Sequence, residues 1–103
     1  MIDLSTVQLN FLRCSRYYRE IRPSHISLFG ALVTLSLQQG MAVTFRITRK
    51  ELMMLSAIRS FNTYHKCIQK LVELGFIIYK PSYDPISASQ VSFNFDSKKD
   101  GGG

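Results

Sequence analysis

The feature that most restricts the fold is a double change of hydrophobic period between Thr48 and Phe95. Thr48-Arg49-Lys50-Glu51 has the T-x-x-E form of a capping box and opens a helix through Leu52, Met53, Leu55 and Ser56. Ala57-Ile58-Arg59 is a brief connection. A second helix starts near Ser60, with Phe61, Tyr64, Ile68, Leu71 and Leu74 recurring at three- and four-residue spacing as its inward stripe. Gly75 ends it, and the pattern turns at once to the strand-like run Phe76-Ile77-Ile78-Tyr79-Lys80. Residues 81–89 hold Pro81, Pro85 and the serines Ser82, Ser87 and Ser89, a turn-rich composition. From Gln90 to Phe95 the residues Val91, Phe93 and Phe95 fall on one side of a second strand. Two strands around such a loop predict an antiparallel hairpin.

Upstream, Ser5-Thr6-Val7-Gln8 has the S-x-x-Q capping form, and Leu4, Val7, Phe11, Cys14, Tyr18 and Ile21 make one amphipathic stripe. This predicts a helix over residues 5–22, stopped by Pro23. The next helix is expected from Ser24 to about Gln39. Its apolar set covers more than one face, so it should be central, and Gly40 should close it. Met41 to Ile47 alternates with period two and predicts a short strand. Residues 1–96 thus read as one domain and 97–103 as a mobile tail. The order is helix, helix, strand, helix, turn, helix, hairpin. It predicts a mainly α chain with a small β-hairpin wing (α+β), laid out as a winged helix-turn-helix with an extra N-terminal helix.

Charge points to a partner class. Between Arg13 and Lys80 there are 11 basic residues and only three acids, Glu20, Glu51 and Glu73, an excess of +8. Basic side chains release condensed counterions when they meet phosphates, so a polyanion is the natural partner. No apolar run approaches the roughly 20 residues that cross a bilayer, and the first residues lack the layout of a secretory signal. No membrane association is expected, and Cys14 and Cys67 read as reduced thiols within a cytoplasmic protein. His25 and His65 lie far apart without a ligand-spaced Cys or carboxylate, so no metal is expected. Paired acids, a phosphate loop and an activated serine are missing from the sequence pattern, which reads as not an enzyme, without cofactor or small-molecule substrate.

The stretch from His25 to Val91 resembles small winged-helix proteins associated with mobile genetic elements of Bacteroidetes bacteria. The similar features are His25 to Phe29, Thr63 to Cys67, Leu74 to Ile77 and Pro81-Ser82-Tyr83-Asp84-Pro85. The resemblance implies a DNA-binding or regulatory role, in a bacterial cytoplasm and close to the nucleoid.

The residues agree in kind. Asn62, Thr63, His65, Lys66, Gln69 and Lys70 fall off the apolar stripe of the 60–74 helix and are the candidate base readers. Amides form bidentate pairs with adenine, and lysine reaches guanine O6 and N7 in the major groove. Arg49, Lys50, Arg59, Ser60, Lys80, Ser82, Ser87 and Ser89 are the candidate phosphate contacts, with the wing over residues 80–90 on the backbone. Val7, Phe11, Cys14 and Tyr18 form a candidate homodimer face, whose alternative is packing on the chain's own core. Tyr18 and Tyr64 fall on apolar stripes and read as core, not as platforms for stacked bases. The expected partner is double-stranded DNA, bound by a transcriptional regulator or a replication or excision accessory factor. The competing reading is a protein–protein adaptor, since fold does not fix function.

Overall fold

The computed structural model describes residues 3–82 and 88–94. Four helices, α1 (Leu4–Ser15), α2 (Pro23–Gln38), α3 (Arg49–Ser56) and α4 (Phe61–Glu73), combine with three strands, β1 (Thr44–Ile47), β2 (Ile77–Lys80) and β3 (Ser89–Phe93). The strands form one antiparallel sheet of order β1-β3-β2, so the chain is a compact α+β domain. The sequence suggested a hairpin of two strands. The third member is β1, which pairs along β3 from Thr44 opposite Ser92 to Ile47 opposite Ser89.

The register sorts the sheet's two faces. Phe45, Val91 and Tyr79 align across the three strands, and Ile77 stands opposite Phe93. These inward side chains are buried, apart from the half-buried Tyr79. Arg46, Gln90 and Lys80 align on the outer face, all exposed. The free edge of β1 is covered locally: the Gln39 carboxamide donates to the Arg46 carbonyl at 2.8 Å and accepts its N–H at 2.9 Å. That pairing occupies backbone groups that would otherwise invite another strand.

A chain of aromatic rings joins the layers. Phe11 of α1 stacks on Phe29 of α2 with centroids 4.0 Å apart and planes 6° from parallel. Phe76 meets Phe11 edge-on at 4.9 Å, and Phe93 of β3 lies 5.6 Å from Phe29 and 5.2 Å from Phe45. Helices α2 and α4 and the sheet close around this chain through Leu28, Leu32, Leu35, Ile68, Leu71 and Ile77.

The ends of α1 differ from the sequence reading. The cap is Asp3, which accepts the Ser5 N–H at 3.0 Å and the Thr6 hydroxyl at 2.8 Å; Ser5 is already inside the helix. Asp3 titrates below the usual carboxylate range, chiefly because the Thr6 hydroxyl and amide donate to its carboxylate. The helix stops at Ser15 and not near residue 22. Two successive turns follow, Tyr18 N–H to Ser15 O and Ile21 N–H to Tyr18 O. Such turns keep a three-residue spacing, so the apolar stripe continues although the helix does not. β1 also starts later than the alternation suggested, because Met41 takes a left-handed φ of 58° just after Gly40 at 85°.

The α3–α4 connection is tight. Ala57 is left-handed at φ 61°, and the Ile58 N–H returns to the Met53 carbonyl at 3.1 Å. Ile58, placed by sequence in a plain connection, is buried and plugs the core beneath the turn. The Ser27 hydroxyl donates to the Ser56 carbonyl and ties the end of α3 to α2. After α4, Gly75 takes φ 84° and the Phe76 N–H closes on the Leu71 carbonyl at 3.0 Å, turning the chain into β2. The expected strand end at Phe95 and the 97–103 tail lie outside the described residues.

Two measurements check this account. Phe11→Ala should cost about 3–5 kcal/mol in urea unfolding, the usual loss for a buried phenylalanine. Amide exchange should then rise first in α1, whose hold on α2 is that ring. Gly75→Ala should cost about 1–2 kcal/mol, the penalty of a left-handed L-residue. Space is not the cause, since a Cβ there would meet only the Asn94 carboxamide, at 3.9 Å.

Candidate nucleic-acid interface

Helix α4 is divided lengthwise by its own sequence. Tyr64, Cys67, Ile68 and Leu71 are buried, while Asn62, Thr63, His65, Lys66 and Gln69 are exposed and Lys70 is partly so. The six candidate base readers therefore share the outward half of one helix. Asn62, Lys66 and Gln69 form its central ridge, with His65 to one side and Thr63 and Lys70 to the other. Ser60 starts the helix by accepting the Thr63 N–H at 3.3 Å. Lys70 is not free: its ammonium lies 3.3 Å from Glu73, one turn on.

The flanks of α4 are occupied by other elements. On one side His65, Gln69 and Val72 face Tyr79 of β2 across a groove of about 420 Å³. On the other, Thr63, Lys66 and Lys70 face the start of α2. Arg49, at the start of α3, lays its guanidinium 4.5 Å from the Phe61 ring centroid, a cation–π contact joining the two helix starts. Phe61 was expected inward and is instead 60% exposed. Phe61 opens α4 outside the core, and there the Arg49 guanidinium lies over its ring.

The candidate phosphate contacts separate into two kinds. Arg49, Lys50, Arg59 and Lys80 are exposed cations. Ser60 is the α4 cap, and the Ser89 hydroxyl is taken up within the hairpin, accepting the Ser82 N–H at 3.2 Å and lying 3.4 Å from the Tyr79 hydroxyl. Ser89 therefore holds the hairpin together, and Ser82 is half-buried beside it. Ser87 lies outside the described residues.

On α1, Val7 and Phe11 are buried against the chain's own core and Cys14 is half-buried. Tyr18 is partly exposed, with its ring edge 6.0 Å from Phe76. Val7 and Phe11 of this stripe pack on the chain's own core, while Cys14 and Tyr18 do so only in part. Leu9 and Leu12 of α1 are exposed.

Two buried rings set the local electrostatics. Tyr64 is held as a neutral phenol, its pKa pushed up to about 12 by burial and by Tyr79. It packs in the core and offers no face to a base. His25 lies below the ordinary histidine range, first because it is buried and then because Lys70 and Arg22 are close. Its Nδ1 accepts the Arg22 N–H at 2.8 Å, which leaves the ring proton on Nε2.

Two contributors were missed by sequence reasoning. Arg46 is aligned with Lys80, across Gln90 of the middle strand, only by the pairing of β1 and β2 with β3. Arg22 reaches the α4 flank from 44 positions before Lys66. Nothing local marks either convergence, although both residues contributed to the basic excess.

Among the described residues no helix is long and apolar enough to cross a membrane, and no group of three metal-ligating side chains occurs. Comparison of the chain with protein-family models, with curated proteins and with solved structures finds no match in any of the three.

The His25 arrangement has a measurable consequence. A histidine lowered in the folded state contributes its full stability above its unfolded value near 6.5, and loses it as pH falls below that toward the folded value. Thermal melts from pH 7.5 down to pH 5 should show a loss of stability that His25→Asn removes. Equal slopes for the two proteins would contradict the assignment.

Proposed function

We propose that the chain is a winged helix-turn-helix domain that binds double-stranded DNA, with α3 and α4 as the helix pair, α4 in the major groove and the β2–β3 hairpin as the wing. The observation that carries this reading is the outward half of α4, where Asn62, His65, Lys66 and Gln69 are exposed while the opposite half is fully used by the core. Of these side chains only His65 meets a core ring, lying edge-on to Tyr64 at 5.3 Å. Their chemistry is that of base edges, amides for adenine and ammonium for guanine. A 13-residue helix is about 20 Å long, enough to lie along a groove about 12 Å wide.

The surroundings support the same reading. The left-handed turn at Ala57 joins α3 to α4 through four residues, as a helix-turn-helix requires. Arg49, Lys50 and Arg59 stand at the starts of the two helices, where backbone N–H groups already favour an anion. Lys80, aligned with Arg46 across the sheet, places cations on the wing side. In this reading Ser89 and Ser60 shape the surface and are not themselves phosphate ligands. A regulator or a mobile-element accessory factor would use the same surface.

The test is fluorescence anisotropy with mixed-sequence duplex DNA at several salt concentrations. Binding should weaken steeply with salt, and Lys66→Ala should lower the log–log salt slope by about one. Replacing Asn62, Lys66, Gln69 and Lys70 together by alanine should remove sequence preference while leaving the circular dichroism spectrum unchanged. Absence of binding at low salt would defeat the proposal and favour a protein–protein adaptor.

A further inference from the structure

Helix α4 and the start of α2 enclose a cleft of about 360 Å³ whose two walls come from distant parts of the chain. Arg22, Ser24 and His25 line one wall and Thr63, Lys66 and Lys70 the other. Glu20 is the one carboxylate in the lining, against three cations. Lys70 is shared with Glu73, whereas Arg22 and Lys66 make no ion pair among the described residues.

The donors of this cleft can be traced one by one. Pro23 has no N–H, and the amides of His25 and Ile26 both go to the Arg22 carbonyl, at 2.9 and 3.2 Å. The Arg22 N–H goes to His25 Nδ1. The first turn of α2 is thus left with one open amide, that of Ser24. The Ser24 hydroxyl accepts from the buried Cys67 thiol at 3.4 Å, so its own proton is available to a further acceptor. Two donors on Ser24 and two unpaired cations on opposite walls face one space.

We propose that this cleft binds a phosphate group, with Arg22 and Lys66 balancing its charge and the Ser24 N–H and O–H donating to its oxygens. A phosphate offers acceptors in several directions at once, which suits donors arriving from two walls, and the guanidinium fork matches a pair of its oxygens. The local field agrees: Lys70 and Arg22 already disfavour a proton on His25. An anion seated between them would relieve that effect. Two sources present this chemistry, a backbone phosphodiester of DNA bound on α4 and a free phosphate or phosphate ester. The first source rests on the DNA reading above; the site itself does not.

The experiment is a ¹⁵N–¹H NMR titration of the full chain with inorganic phosphate, at ionic strength held constant with chloride. The Ser24, His25 and Lys66 amides should shift with saturation, and the His25 ring should titrate at higher pH with phosphate than without. Arg22→Gln combined with Lys66→Met should abolish the saturable response. Lys66→Arg should keep it, and the otherwise unchanged spectra report that each variant is folded. Shifts without saturation, or a response that survives the double substitution, would overturn the proposal. A short mixed-sequence duplex added next separates the sources. If it perturbs the same amides and phosphate displaces it, the ligand is the DNA backbone. If phosphate saturates the cleft and the duplex leaves these amides unmoved, the ligand is a free phosphate compound, and only the DNA reading of this flank fails.

Discussion

Everything in this domain is positioned by the packing around Phe29. Its ring lies against Phe11 from α1, Phe76 from the α4–β2 junction and Phe93 from β3, and Phe93 passes the contact on to Phe45 of β1. Aromatic pairs of this kind contribute about 0.5–1.5 kcal/mol each beyond the area they bury. Their geometry matters more here than their sum. Because one ring touches three elements, moving any of them opens a void that the others cannot fill. The central position of α2, expected from its apolar residues on more than one face, follows from the same constraint.

That constraint decides what α4 can present. The helix is held at its start by the Ser60 cap and the plug of Ile58, and at its end by Gly75 and the return of Phe76 to Leu71. Tyr64, Cys67, Ile68 and Leu71 keep it from rolling. The opposite half is left with amides, an imidazole and ammonium groups at fixed angles around the axis. Among the described residues these groups make one ion pair, Lys70 with Glu73, and the imidazole of His65 lies edge-on to the Tyr64 ring. A surface with more cations than acids costs stability through self-repulsion. Its presence on a firmly seated helix argues for an anionic partner.

The same helix forms two different flanks, and they differ in chemistry. Toward β2 the groove is mixed, with Val72 and Tyr79 beside His65 and Gln69. Toward α2 it is cationic, with Arg22 and Lys66 on facing walls, and His25 is held below the ordinary range first by burial and then by Lys70 and Arg22. An extended polyanion crossing α4 would meet exposed amides and Lys66 in the middle and the cations of the cleft at one side. Arg49, seated over Phe61, adds a cation at the helix start, where a ring expected in the core has been left outside for it to cover.

Local rules made a large part of this legible. The caps at Thr48 and Ser60, the stop at Gly75 and the alternating strands are each encoded within a few residues, so element order and the two halves of α4 could be read directly. Phe61 and the end of α1 escaped because spacing alone does not distinguish a helix from successive turns, nor a stripe's buried part from its protruding end. What only the tertiary structure decided was convergence: β1 joining β3, Arg46 aligning with Lys80, and Arg22 meeting Lys66 across the cleft. Periodicity and capping act over one or two turns of chain. These meetings depend on contacts tens of residues apart, which come into being only when the aromatic core closes.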